Sequence, residues 1–340
     1  MRVLVTGATG FLGSHIARTL VAAGHSVRVL VRPGTSPALL EGLPVELARG
    51  DILVPSTLEA AARGVEAVVH SAANMRDRGG TSQRVRSHVL GTRDMLAASR
   101  LAGVRRFVYI SSVAALGIPD ASPAATDNAA PRLDESHTWN TDPDRWPYGH
   151  AKHLAEQEVL SAAAAGMEAV IVNPSAVLGP GDRHRVSNAV IWHMLNGRVP
   201  PVIPGGVGVV HVSDVAEGTL AALEHGRSGE RYILNGENLR VEQLLSLVAE
   251  VVGRPPPRLR LSLSTARALA AALDLLARIV RPQARPVLLE LAGLYFYYDN
   301  GKARRDLGLA FRRTARTATE EAAEWYRRHA GLHAGSLGGV

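Results

Sequence analysis

The chain has 340 residues, enough to bury one large core and to carry a smaller second lobe. With 46% hydrophobic and 20% charged residues it is globular in composition, and the absence of cysteine excludes disulfides, thiolate metal sites and cysteine nucleophiles. The net charge of +7 does not mark a nucleic-acid partner, because 36 of the 38 basic residues are arginines scattered along the chain and only Lys152 and Lys302 are lysines.

Taken in chain order, short β-branched runs alternate with helical patterns. "RVLVT" (2–6), "VRVLV" (27–31), "VELA" (45–48), "AVVH" (67–70), "RFVYIS" (106–111) and "AVIVN" (169–173) read as buried strands. Helical segments lie between them at 11–23, 55–63, 85–102 and 150–165. Such strand–helix–strand units predict an α/β fold: a doubly wound parallel-sheet Rossmann domain, with ligands beyond the carboxyl ends of its strands.

Residues 118–147 carry five prolines and no sustained period, so they read as a long functional loop. Beyond 173 the alternation loosens. A helix is expected near 186–197 and a strand at "RYIL" (231–234), with helices dominating to about 330. The expected division is a nucleotide domain over 1–175, to which 209–235 returns, and a smaller, mostly helical substrate lobe over 176–208 and 236–330. Residues 331–340 read as a flexible tail.

The first strand is expected to begin at Arg2, so no signal peptide is expected. The most apolar stretch, "LSLSTARALAAALDLLARIVRP", is interrupted by Arg267, Asp274 and Arg278 and reads as an amphipathic helix. A cytoplasmic protein without a membrane partner is expected.

"TGATGFLGSH" (6–15) places Gly7, Gly10 and Gly13 between the first strand and the first helix. There, backbone N–H groups and the positive end of the helix can hold a pyrophosphate, and absent side chains permit close approach. A dinucleotide fold ordinarily places a carboxylate at the end of its second strand, to bind the adenosine ribose. Here that position is Val31, followed by Arg32. A guanidinium suits a 2′-phosphate, so NADP is favoured, with NAD as the alternative. Asp51 in "GDIL" is a candidate adenine contact, or simply the cap of the turn that follows.

"YGHAK" places Tyr148 and Lys152 four residues apart at the start of a helical pattern, hence on one face. A tyrosine acting as acid and base near neutrality must lose about 3 units from its ordinary pKa, or about 4 kcal/mol. One ammonium at about 4 Å, at an effective dielectric near 20, supplies about that much. "YISSVAALG" brings Ser111 and Ser112 to the end of the fifth strand, on the edge that carries the glycine turn, where a hydroxyl can hydrogen-bond a substrate oxygen.

These elements, in this order, resemble the extended short-chain dehydrogenase/reductases, the NAD-dependent epimerase/dehydratase family, in which the glycine spacing is T-G-x-x-G-x-x-G. The resemblance continues in "GDI" (50–52), "HSAA" (70–73), "NPSAVLGPGD" (173–182), "HVSDVAEG" (211–218) and "KARRDLG" (302–308). Within the family, "VRVLVRPGTS", "NPSAVLGP" and "GERYILNGENL" are most similar to the dihydroflavonol-4-reductase and hopanoid-associated sugar epimerase groups.

The resemblance implies that Tyr148 is the general acid/base, Ser112 the donor to the substrate oxygen, and Lys152 the group that lowers the tyrosine pKa and holds the nicotinamide ribose. It implies cofactor contacts from Gly7, Thr9, Gly10, Phe11, Leu12, Gly13, Arg32, Asp51, Ile52, Ala72, Ala73, Tyr148, Lys152, Pro174 and Ser175. It also implies a homodimer, formed through the helices near 85–102 and 150–165. One departure is "HVLGT", in which His88 stands where the family usually has asparagine. His88 is either a proton relay or a hydrogen-bonded packing residue, and the second reading is favoured.

Absences narrow the reaction. Sugar 4,6-dehydratases of the family carry an Asp-Glu pair after the catalytic hydroxyl, where this chain has Val113 and Ala114. His184, His193 and His211 lack the spacing of metal ligands, so no metal is expected. The favoured reading is an NADP(H)-dependent oxidoreductase acting on a carbonyl or secondary alcohol of a sizeable apolar or polycyclic small molecule. Trp139, Trp146 and the aromatic run Tyr295–Tyr298 would wall its site, or else form lobe core. A sugar or nucleotide-sugar 4-epimerase with retained NAD is the alternative, with Arg183 or Arg185 holding a diphosphate. A non-catalytic cofactor sensor or scaffold is a third reading. If Arg32 reads a 2′-phosphate, Arg32→Asp weakens NADPH binding much more than NADH binding in a fluorescence titration; equal losses contradict the assignment.

Overall fold

The computed structural model describes residues 1–72, 86–119, 130–280 and 291–329, the side chains of 86 and 274–280 excepted. Ala73, part of the long loop (120–129) and the 331–340 tail lie outside the described residues.

Seven parallel strands form the main sheet. They are β1 (Arg2–Thr6), β2 (Ser26–Val31), β3 (Val45–Arg49), β4 (Ala67–His70), β5 (Arg106–Ile110), β6 (Glu168–Pro174) and β9 (Arg231–Leu234), in the order β3-β2-β1-β4-β5-β6-β9. The alternation of side chains along each strand sends them to two separate cores. Val3, Val5, Val29, Val69, Val108, Val170 and Val172 pack on one face with Ile16, Leu20 and Val215. Leu4, Val68, Phe107, Tyr109 and Ile171 pack on the other with Leu58, Met95 and Val159. The helices supplying the first face are α1 (Phe11–Ala22) and α6 (Val212–His225), joined by Ala303 and Leu307 from the C-terminal region; α2 (Pro55–Ala62), α3 (Gly91–Leu101) and α4 (Pro147–Ala164) supply the second. Burial on both faces explains why the strands read as continuous apolar runs.

The strand order turns back between β1 and β4, the crevice in which an open α/β sheet binds its ligand. Backbone hydrogen bonds register Thr6 opposite His70, so the glycine turn that follows β1 lies beside the residues that follow β4.

The C-terminal region is helical, with α5 (Ala189–Leu195), α7 (Val241–Val252), α8 (Leu263–Val280), α9 (Gly301–Leu307) and α10 (Ala315–Arg328). It also holds a small sheet that the sequence did not disclose. In it β8 (Gly206–His211) is flanked by antiparallel β10 (Glu237–Arg240) and by parallel β7 (Ala176–Leu178) and β11 (Tyr295–Phe296). Within the span 209–235, expected to return to the nucleotide domain, residues 209–211 belong to β8 of the small sheet, although Val210 packs in the first main-sheet core; α6 and β9 pack on and into the main sheet. The small core contains Leu178, Ile191, Met194, Val209, Leu245, Val248 and Tyr326. His211, at the junction, accepts from Ser213 N–H through Nδ1 and meets Glu321 at 3.1 Å through Nε2.

Candidate active site at the carboxyl edge of the sheet

The glycine turn is fixed by close backbone contact. Gly7 has φ +76°, and a Cβ there would stand 2.8 Å from Ala72 N. At Gly13 a Cβ would come within 2.2 Å of the Gly7 carbonyl oxygen, so the first turn of α1 rests directly on the loop. Gly10 differs: a Cβ there would meet only the Gly7 oxygen, at 3.3 Å. Gly10 also caps α1 without any side-chain acceptor, and the first turn has no acidic residue. The N–H groups of Phe11, Leu12 and Gly13 thus begin a helix with no carboxylate to occupy its positive end, and this cradle fits a diphosphate. Thr9, Phe11 and Leu12 are half-buried around it.

Beneath the turn, Thr6 Oγ1 lies 2.8 Å from His70 Nδ1 and accepts from Ala72 N–H at 3.1 Å. His70 is fully buried and stacks on Tyr109 at 5.9 Å between centroids. Burial, with a smaller contribution from Lys152, pushes its pKa down to about 3, so it is neutral.

Tyr148, Lys152 and Ser112 converge from two elements. Pro147 occupies the first turn of α4, where its missing N–H costs nothing, and Tyr148 and Lys152 follow on one face. Lys152 is buried; its Nζ donates to the Ile110 carbonyl at 2.8 Å and to the Tyr109 hydroxyl at 3.4 Å. Burial lowers its pKa to about 8, against the opposing attraction of Glu156. Ser112 accepts from Ala114 N–H at 3.2 Å, which leaves its own hydroxyl proton to donate. The phenol of Tyr148 is raised by burial and drawn back by a hydrogen bond with Ser112. The expected lowering of the phenol is therefore not present in this structure: desolvation dominates, and the ammonium is engaged by β5.

His88 is buried in a π-helical turn (Arg86–Leu90), its ring edge-on to Tyr148 at 5.8 Å. Val113 and Ala114 are buried. Arg32 is exposed just past β2. Asp51 Oδ1 accepts from Leu53 N–H at 3.0 Å, the turn-capping alternative, while Ile52 is buried against Gly91. Pro174 ends β6, and Ser175 is buried with its N–H on the Leu234 carbonyl at 3.1 Å. Arg185 rests over the Trp192 ring at 3.8 Å. Trp146 packs edge-on against Phe296 at 5.5 Å, whereas Tyr297 and Tyr298 belong to the core.

Residues 3–235 match the model of the NAD dependent epimerase/dehydratase family. The chain belongs to that family. It is 34% identical over 335 residues to sterol demethylase protein B of Methylococcus capsulatus, covering 96% of this chain and 98% of the relative. It is also 34% identical to a putative dihydroflavonol 4-reductase of Synechocystis, covering 96% and 94%. The solved structure of gox2253 superposes with a TM-score of 0.84 at 36% identity, covering 96% of this chain and 98% of that one. This epimerase/dehydratase-family chain is thus an NAD(P)-dependent enzyme of the extended short-chain dehydrogenase/reductase type.

Sequence reasoning passed over Thr6, His70, Glu156 and Asn173 as site-forming residues. Glu156 repeats the four-residue spacing of Tyr148 and Lys152, and His70 ends the buried run "AVVH". Those two spacings were the available signals. The His70 shift has a measurable consequence. The unfolded chain takes up a proton below the ordinary value of 6.5, whereas the folded chain does so only near 3. Stability therefore falls as pH drops through this window, by up to about 1.4 kcal/mol per pH unit. Denaturant titrations between pH 6 and 4 should show a shallower loss for His70→Asn than for wild type, and equal slopes contradict a neutral buried His70.

Proposed function

We propose that this enzyme catalyses NADPH-dependent reduction of a carbonyl on an apolar, ring-containing small molecule, or the reverse oxidation, with Tyr148 as the proton donor and acceptor. The observation that carries the reading is the convergence of Tyr148, Ser112 and Lys152 at the carboxyl edge of the sheet, beside an uncapped glycine cradle. NADP is favoured by Arg32 and by the lack of a carboxylate at Val31. When bound, the nicotinamide supplies the hydride.

The chain's own groups handle the proton and the geometry. Gly7, Gly10 and Gly13 bring backbone N–H groups to the diphosphate. The Ser112 hydroxyl donates to the substrate oxygen while its Oγ is held by Ala114 N–H. Tyr148 delivers the proton to that oxygen. Burial favours the protonated phenol, which is the form a reduction needs. Lys152, fixed on the Ile110 carbonyl, would hold the nicotinamide ribose. His88 packs against the Tyr148 ring and orients it.

Trp146, which precedes α4, and Phe296, in the lobe assigned to substrate over 176–208 and 236–330, are both partly exposed and offer an apolar wall close to Tyr148. The names of the two relatives, one of sterol demethylation and one of dihydroflavonol reduction, fit a polycyclic substrate. Arg185, engaged by Trp192, offers less support to a sugar-diphosphate site. We read the protein as a cytoplasmic homodimer. Its contact would lie on the groove of 580 Å³ between α3 and α4, which Leu96, Ala97, Ala162 and Ala165 line.

Tyr148→Phe is expected to lower kcat for NADPH oxidation by at least about 100-fold, with NADPH affinity retained. The assay is a panel of steroid, flavanone and alicyclic ketones. Undiminished turnover would remove Tyr148 from the chemistry. Near-stoichiometric NAD released on denaturation, with no ketone reduced, would favour the epimerase reading instead.

A further inference from the structure

Glu156 lies one helical turn beyond Lys152 and two beyond Tyr148 on α4, and it is fully buried. Two strands meet its carboxylate. Asn173 of β6 donates to Oε1 at 2.6 Å, and the same amide nitrogen donates to the Ser112 carbonyl at 3.0 Å. Arg231 of β9 reaches Oε2 at 3.3 Å, and its other nitrogen donates to the Glu135 carbonyl at 2.9 Å. Glu135 in turn accepts from Ile233 N–H at 2.8 Å. One carboxylate thus joins the helix carrying Tyr148 and Lys152, the loop carrying Ser112, and the segment leading into the helix.

A buried ion pair is a poor source of stability, since apolar residues of like volume fill such space at least as well. The charge points to a role at the site. We propose that Glu156 is a positioning residue for hydride transfer: its carboxylate is the counter-charge of Lys152 and, through Asn173, the anchor of Ser112. This inference rests on the reading of the trio given above. The groups facing Lys152 are His70 from β4, Tyr109 from β5, and Tyr148 and Glu156 from its own helix, with Arg231 behind Glu156 and His88 beyond Tyr148. His70 is neutral, and burial holds Tyr109 protonated. Burial raises the Glu156 carboxyl, and Arg231 at 3.3 Å favours its ionised form; its attraction opposes the burial of Lys152.

The chain has only two lysines, so selective ¹³C-lysine labelling gives two side-chain signals, assigned with Lys302→Arg. Glu156→Gln keeps an acceptor for Asn173 and removes the charge. The Lys152 signal should then titrate about one pH unit lower or more, with Lys302 unchanged. The alkaline limb of the ketone-reduction profile should move with it. Asn173→Leu should lower kcat by about tenfold or more without moving the Lys152 titration.

If Glu156→Gln does not fold, Glu156→Gln with Arg231→Met leaves no unpaired buried charge and should show the same displacement. An unchanged Lys152 titration in the folded variant overturns the proposal, whatever the activity. A displaced titration in the variant, with no ketone reduced by the wild-type protein, supports the counter-charge and overturns the hydride-transfer reading.

Discussion

The site depends on one close approach: the backbone of the turn after β1 lies against the backbone after β4. Gly7 permits it by taking a positive φ and by having no Cβ to strike Ala72. Gly13 permits α1 to start on the same spot, and the Thr6–His70–Ala72 hydrogen bonds pin the contact from below. From this point the positive end of α1, the edge of β5 and the start of α4 all face one crevice. A larger residue at Gly7 or Gly13 would part the strand ends and move the groups of the candidate site.

The second feature is the contest between burial and charge around α4. Burial raises the Tyr148 phenol and lowers the Lys152 ammonium, so desolvation works against the ionised forms of both. What opposes it is local and specific: the Ser112 hydroxyl at the phenol, and Glu156 near the ammonium. Glu156 is itself raised by burial and held by Arg231 and Asn173. The candidate site is a chain of partly offset desolvations running from β9 to the carboxyl edge of the sheet.

Much of this was legible in the sequence because it is local. β1, β4 and β5 are apolar runs that need no distant partner to be recognised, and the glycine spacing between a strand and a helix states its own purpose. Tyr148 and Lys152 are related by helical periodicity alone. What stayed hidden depends on residues far apart in the chain. Glu156, Asn173 and Arg231 are ordinary polar residues until folding brings helix, β6 and β9 together. β10 ("ENLR") and β11 ("YF") are too short and too polar to carry a strand period, so the small sheet went unseen. The four-residue spacing placed Lys152 on the same face as Tyr148, yet could not show that its ammonium would bind the Ile110 carbonyl and the Tyr109 hydroxyl.

The central claim is that the crevice passes a hydride directly from NADPH to a ring ketone while Tyr148 supplies the proton. Deuterium tracing tests this most directly. Purified protein is incubated with NADPH deuterated at the transferring carbon and a polycyclic ketone, and the product is analysed by mass spectrometry. The account requires an alcohol carrying one deuterium at the new carbinol carbon. Alcohol without deuterium, or no alcohol from any ketone while the cofactor remains bound and unconsumed, would contradict it.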